Sequence, residues 1–292
     1  LNPTLNYQVG DVARLPILIS AFDSVHHDLS APISISKADE DSYEVSWDFQ
    51  SLPLLTASFD STLTLESSYT AWITQNRETI VEMKRLEEEN NRLFIDAYGL
   101  ADELTPDVPI EQITLTVNPA YRYSGKGGKL TEEEQWTRFR QDTMEELVSY
   151  AIGCMMGRYS LDAPGLILAD TRSTQPEHIS AYVEKVGKPM EELKFQPDED
   201  GILPVLDDEW FEDDVVARFR RFLRAAFSDD SLEENLRFLE EAIGKKLRKY
   251  FVNDFYKNHL QAYKKRPIYW LVQSPKKSFQ ALVYLHRYDR DT

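Results

Sequence analysis

A disulfide framework is excluded in a chain of 292 residues whose single cysteine is Cys154, and cysteine-based zinc sites go with it. The chain reads as cytoplasmic. No apolar run approaches the ~20 residues a membrane helix needs. The opening Leu1-Asn2-Pro3-Thr4-Leu5-Asn6-Tyr7 has neither an initiator methionine nor the basic-then-apolar order of a signal peptide. A soluble, unanchored piece of a longer polypeptide is the expectation. The five histidines, His26, His27, His178, His259 and His286, form no i, i+4 metal pair and no triad spacing, and there is no Gly-x-Ser-x-Gly elbow. Hydrolase chemistry has no residues to stand on. Internal repeats and low-complexity tracts are also missing, which sets aside solenoids and disorder.

What is present is enough apolar material for a core, 42% of the chain, and a formal charge of −17. That charge argues against a protein that coats nucleic acid with its whole surface, because phosphate contacts need lysine and arginine. The average hides a segregation. Residues 245–292 hold twelve Lys and Arg against three Asp and Glu, a net of +9, leaving −26 for residues 1–244.

Patterning predicts a mostly α, α+β fold: a helical bundle with short N-terminal strands and a C-terminal β-hairpin. Residues 1–62 carry β-rich stretches such as 13–19 and the aromatic run 43–49, punctuated by Pro16, Pro32 and Pro53, and read as strands and ordered loops. Over 65–98, Trp72, Ile73, Ile80, Met83, Leu86, Leu93 and Phe94 recur near helical spacing, with Gly99 as the stop. Asn76, Glu87 and Asn90 interrupt any heptad seam, so this is a packing helix rather than a coiled-coil arm. A short strand is expected near 112–117 and a mobile loop at Ser124-Gly125-Lys126-Gly127-Gly128.

The Thr131/Glu134 capping box opens a buried helix running to about Tyr159. An acidic stretch around 197–204 is the best internal linker candidate. Helices follow over 213–227, over 232–243 behind a Ser231/Glu234 box, and over 245–263. Residues 268–272 and 279–284 then form a hairpin. Three units result: 1–62, a β/loop segment; 63–200, a helical subdomain; and 201–292, a helical subdomain ending in a basic hairpin.

Asn118-Pro119-Ala120-Tyr121 is close to the Asn-Pro-Pro-Tyr motif that holds a flipped adenine. That chemistry also needs a cofactor-binding β-α unit upstream, and residues 1–117 supply none, so a loop start is the better reading. Gly127-Gly128-Lys129 is followed by Leu130 and fails the P-loop pattern. Glu192-Leu193-Lys194 precedes Pro197-Asp198, the wrong order for a magnesium nuclease. The strongest local signal is the basic and aromatic end of the chain. There Lys245, Lys246, Arg248, Lys249, Lys257, Lys264, Lys265, Arg266, Lys276 and Lys277 alternate with Tyr250, Phe251, Phe255, Tyr256, Tyr263, Tyr269 and Trp270. Such a face could grip DNA phosphates. The competing reading makes the aromatics core and pairs the cations with Glu209, Glu212, Asp213 and Asp214.

Three runs carry a resemblance: Asp41-Ser42-Tyr43-Glu44-Val45-Ser46-Trp47-Asp48-Phe49, Asn91-Arg92-Leu93-Phe94-Ile95-Asp96-Ala97-Tyr98-Gly99-Leu100, and Tyr150-Ala151-Ile152-Gly153-Cys154-Met155-Met156-Gly157-Arg158-Tyr159-Ser160-Leu161-Asp162. With Lys265-Arg266-Pro267-Ile268-Tyr269-Trp270-Leu271 they resemble the C-terminal region of BREX-type adenine-specific DNA methyltransferases, the PglX/BrxX family. The resemblance implies a parent enzyme that methylates adenine with S-adenosylmethionine in phage defence. No cofactor is expected in this part, since neither the cofactor motif nor Asn-Pro-Pro-Tyr can be placed on it. The partners it implies are the upstream methyltransferase and recognition domains of the same polypeptide, double-stranded DNA and other BREX proteins, with no membrane. A protein-docking scaffold and a piece of a restriction-modification fusion are the alternatives.

Overall fold

The computed structural model describes residues 14, 29–57, 64–125, 130–169, 175–208, 210–211, 213–276 and 278–289. Helix α1 (Ser30–Asp41) leads through a turn and a 3-10 segment, Pro53–Leu55, to the long α2 (Leu65–Tyr98). Thr64 and Ser67 form a reciprocal cap at the start of α2, where the Leu65 N–H also donates to Asn235 Oδ1 at 2.7 Å. Gly99, at φ 66°, ends it in the left-handed region that glycine occupies without penalty. Short α3 (Pro119–Arg122) and long α4 (Glu132–Met155) follow, then α5 (Gln175–Val186), β1 (Ile202–Pro204), α6 (Val215–Ala226) and α7 (Leu232–Ile243). A last helical run comprises α8 (Leu247–Tyr250), a π turn over Phe251–Phe255, and α9 (Tyr256–Ala262), before the hairpin β2 (Tyr269–Gln273) and β3 (Gln280–Tyr284).

The mostly helical α+β architecture and the C-terminal hairpin match the sequence pattern. The strand expected over 13–19 lies outside the described residues apart from Arg14, as does most of the loop around 124–128. Three helices stand where the sequence pattern predicts none, α1, the four-residue α3 and α5. Pro32 had been read as loop punctuation, but proline is tolerated in a helix's first turn, where its missing N–H has no intrahelical partner to lose.

The strand expected at 112–117 is absent; a 3-10 turn, Ile110–Gln112, irregular backbone and a turn at 116–117 stand there. Its backbone is satisfied by side chains instead. The Asp39 carboxylate of α1 accepts from the Thr116 and Val117 N–H at 2.7 and 3.0 Å, and Asn118 Nδ2 donates to the Ile110 and Ile113 carbonyls. The Thr131/Glu134 box is present. The Ser231/Glu234 box is not, because Ser231 Oγ turns back to donate to the Ser228 carbonyl at 2.8 Å.

The core sits around the second half of α4, where every residue from 150 to 155 is buried. Phe49 and Leu54 pack on it from one side, Phe219 and Phe222 of α6, Leu239 of α7, and Tyr250 and Phe251 from others, and Tyr284 of β3 closes it. Each fully buried Phe or Leu contributes about 1.5–3 kcal/mol of transfer free energy. A satellite cluster joins Ile80 and Met83 of α2 to Ile113, Leu115, Val117 and Phe139. The stretch around 197–204 is packed rather than loose. β1 pairs antiparallel with β3, and the buried Arg287 donates to the Asp198 carbonyl at 2.6 Å. Strand order is β1-β3-β2. Among the described residues no helix is long and apolar enough to cross a membrane.

Gly153 marks the tightest point of this core. A methyl group there would come within 2.8 Å of Tyr159 Cε2, and that ring is 1% exposed and stacked on Tyr150 at 5.2 Å. Gly153→Ala is therefore expected to destabilise the fold by about 1–3 kcal/mol through overpacking, read as a lowered urea midpoint with an unchanged m-value.

Candidate nucleic-acid interface

Nine of the ten cations singled out in the basic segment are among the described residues, and they divide into two sets. Gly244, left-handed at φ 74°, turns the chain after α7, and three cations near this elbow are held by carboxylates. Lys245 reaches Asp254 at 2.7 Å, Lys246 reaches Glu240 at 2.6 Å, and Arg248 reaches the fully buried Asp214 at 2.6 Å. Arg248 also donates to the carbonyls of Leu206 and Asp208, both at 3.1 Å. These three tie α7, α8 and the 206–214 segment together. Asp214 was among the acidic partners expected from sequence; Glu209 and Glu212 lie outside the described residues, and Asp254 and Glu240 take their place. The aromatics Tyr250, Phe251, Phe255 and Tyr269 are core.

Lys249, Lys257, Lys264, Lys265, Arg266 and Lys276 are exposed, and none forms an ion pair among the described residues; Lys277 is not described. Lys249 and Lys257 are eight positions apart, but the π turn between them absorbs one extra residue. They therefore lie about two turns apart on the same side of the helix. Lys276 sits in the hairpin turn. Lys264 and Lys265 are the described non-glycine residues at positive φ, 50° and 64°. A left-handed lysine costs about 1–2 kcal/mol and persists only where its surroundings enforce it.

Those surroundings are visible on both sides of the turn. Before it, Tyr263 Oη donates to Glu44 Oε1 at 3.0 Å, and Glu44 Oε2 accepts from Ser149 Oγ of α4 at 2.7 Å. Within it, the Lys265 N–H donates to the Leu260 carbonyl at 2.7 Å and the Arg266 N–H to the Tyr263 carbonyl at 2.9 Å. After it, buried His259 Nε2 accepts from the Ile268 and Tyr269 N–H groups at 3.1 and 3.3 Å. Buried Arg158 lies 4.0 Å from Glu44 and donates to Tyr159 Oη at 3.1 Å. Sequence reasoning missed Glu44, Arg158 and His259 as supports. Only the position of Glu44 and Arg158 inside the family-like runs could have flagged them.

The Asn-Pro-Ala-Tyr segment is committed to structure. Asn118 is 1% exposed, both its amide donations go to carbonyls, and its Oδ1 caps Ala120 N–H at 3.2 Å. The sheet among the described residues is antiparallel, in the order β1-β3-β2. Among these residues there is no group of three or more His, Cys, Asp or Glu able to hold a metal.

No family model matches the chain. Two curated proteins, both adenine-specific methyltransferases, align with 99–100% of it at 34–36% identity, a likeness that runs the whole length of the chain and agrees with the BREX-type resemblance of its sequence runs. The relatives are BrxX of Escherichia coli O9:H4 (strain HS), 36% identical, and PglX of Lacticaseibacillus casei (strain Zhang), 34% identical. The chain spans under a quarter of their lengths, 24% and 22%.

His259 makes the anchor pH-sensitive. Two N–H groups donate to Nε2, so the ring is neutral with its proton assigned to Nδ1. Burial, reinforced by nearby Arg158, pushes its pKa down to about 4. As pH falls below ~6.5 the unfolded chain takes up a proton that the folded chain refuses until near pH 4, so stability present above ~6.5 is lost across that window, by up to ~3 kcal/mol. Urea midpoints should therefore fall more between pH 7 and pH 4.5 for the wild type than for His259→Gln, which keeps an acceptor but cannot be protonated.

Proposed function

We propose that this chain is a non-catalytic, carboxy-terminal part of an adenine-specific DNA methyltransferase of BREX phage defence. In this reading it follows the recognition region and helps hold duplex DNA by its phosphates. S-adenosylmethionine and the methyl-transfer residues belong to the upstream part of the parent polypeptide, with which this region packs.

The observation that carries the reading is the Lys264-Lys265-Arg266 turn. Three consecutive cations are exposed, without a carboxylate partner among the described residues, in a backbone conformation enforced by Glu44, Tyr263 and His259. A protein with a net charge of −17 has ample carboxylate to neutralise such a turn. It neutralises Lys245, Lys246 and Arg248 in that way and leaves these three facing water. Phosphates are the polyanion that a string of preorganised Lys and Arg suits, and the contact is independent of sequence. Lys249, Lys257 and Lys276 extend the positive potential along the last helix and the hairpin.

Fluorescence anisotropy with a labelled random-sequence duplex over a salt series tests this. The wild type should bind with an affinity that falls linearly with log salt. Lys264→Gln, Lys265→Gln and Arg266→Gln together should weaken binding and reduce the slope by roughly 2–3, at about 0.9 per lost phosphate contact. Absence of duplex binding by the folded chain at low salt would overturn the reading in favour of a scaffold acting through protein contacts.

A further inference from the structure

The three-stranded sheet departs from the pattern of a sheet packed on one side. Register sets Trp270 opposite Val283 and Val283 opposite Ile202, and likewise Val272 opposite Ala281 and Ala281 opposite Pro204. Residues directly opposite one another share a face, so these six side chains lie together. Antiparallel sheets with one solvated face alternate apolar inward with polar outward. Here the outward set is wholly apolar: Val283 and Ala281 of the middle strand are buried, and Trp270 and Val272 of the edge strand β2 are 45% and 55% exposed. The inward set, Leu203, Tyr269, Leu282 and Tyr284, already joins the core, so the outer apolar residues are not needed to dock the sheet.

Tyr288 extends this face, its ring centroid 5.9 Å from that of Trp270, and is 55% exposed. Two cationic turns frame it. Lys264-Lys265-Arg266 stands just before β2 and Lys276 just after it, with the five residues of β2 between, a span of about 16 Å. A ligand crossing β2 meets positive charge at each end and aromatic faces in the middle. An aliphatic protein segment would satisfy the middle alone. Duplex DNA would satisfy the ends, but its base faces are hidden in the stack. Single-stranded DNA presents phosphates to the turns and open base faces to the rings, and such stacking tolerates any base.

We propose that the outer face of this sheet, Trp270 with Tyr288 between the two cationic turns, is a stacking platform for unpaired nucleotides of single-stranded DNA. It rests on the DNA-contact reading above and adds a base contact to the phosphate contacts. The site selects unpaired over paired DNA.

The test compares binding of the whole chain to a labelled oligothymidine and to a duplex of equal length, for the wild type, Trp270→Ala, Trp270→Phe and the Lys264/Lys265/Arg266 glutamine variant. Trp270→Ala should weaken single-strand binding about tenfold, the loss of one stacked base, and leave duplex binding within about twofold. Trp270→Phe should retain most single-strand affinity, which a merely structural role for the indole does not predict. Single-strand affinity unchanged in Trp270→Ala, with both ligands weakened in the glutamine variant, overturns the platform and leaves the phosphate grip standing. No binding of either nucleic acid overturns both. Trp270-dependent capture of polyglutamate in preference to oligothymidine overturns the platform in favour of an acidic protein partner.

Discussion

The last six residues of α4 are buried on every side, and a helix end of that kind has no face to offer water. From Tyr150 to Met155 each residue must be enclosed, which demands partners from all directions rather than from one neighbouring layer. Phe49 comes from the first 60 residues, Tyr182 from α5, Phe219 and Phe222 from α6, and Tyr284 from the last strand. Gly153 lets the Tyr159 ring lie against the helix, and Tyr159 in turn stacks on Tyr150. One buried helix thereby draws distant parts of the chain into a common core, and the turns that connect those parts are placed as a consequence.

The basic segment is an example of that placement. Its aromatics belong to the core, so α8, the π turn and α9 are held against α4 and α6 by Tyr250, Phe251 and Phe255. With the apolar side of the run fixed, its lysines have only the surface left to occupy. Some of them find carboxylates there: Asp254, Glu240 and buried Asp214 draw in Lys245, Lys246 and Arg248. The surface pairs contribute little to stability, whereas Arg248 with Asp214 is a buried pair whose breaking would strand a charge. The turn at Lys264-Lys265-Arg266 is different in kind. Hydrogen bonds from Tyr263 to Glu44, and to His259 from the strand that follows, fix its backbone while leaving its charges unspent.

Helix existence was legible wherever caps and periodicity agreed. Thr131 with Glu134 and Gly99 are read correctly from local chemistry because they act through backbone groups a few residues away. Ser231 had the same local signature, but its hydroxyl is engaged by the Ser228 carbonyl of a preceding 3-10 turn that no spacing rule announces. The residues 112–117 carry strand-like composition, yet Asp39 from a helix more than seventy positions earlier satisfies their N–H groups. Strand β1 was read as linker because three residues have no periodicity to detect, and only pairing with β3 makes them a strand.

The sequence by itself determined the helical majority, the hairpin, the charge segregation and the family resemblance. Each is written in composition, in short-range spacing or in runs of adjacent residues. The tertiary structure decided which cations are spent on carboxylates and which remain exposed. It also showed that Asn118 is consumed by its own loop, that Glu44 and His259 hold the basic turn, and that Trp270 and Val272 of the edge strand stand exposed. Those outcomes depend on partners tens to hundreds of positions apart, brought together by packing on α4, and a linear string does not encode a distance across a core.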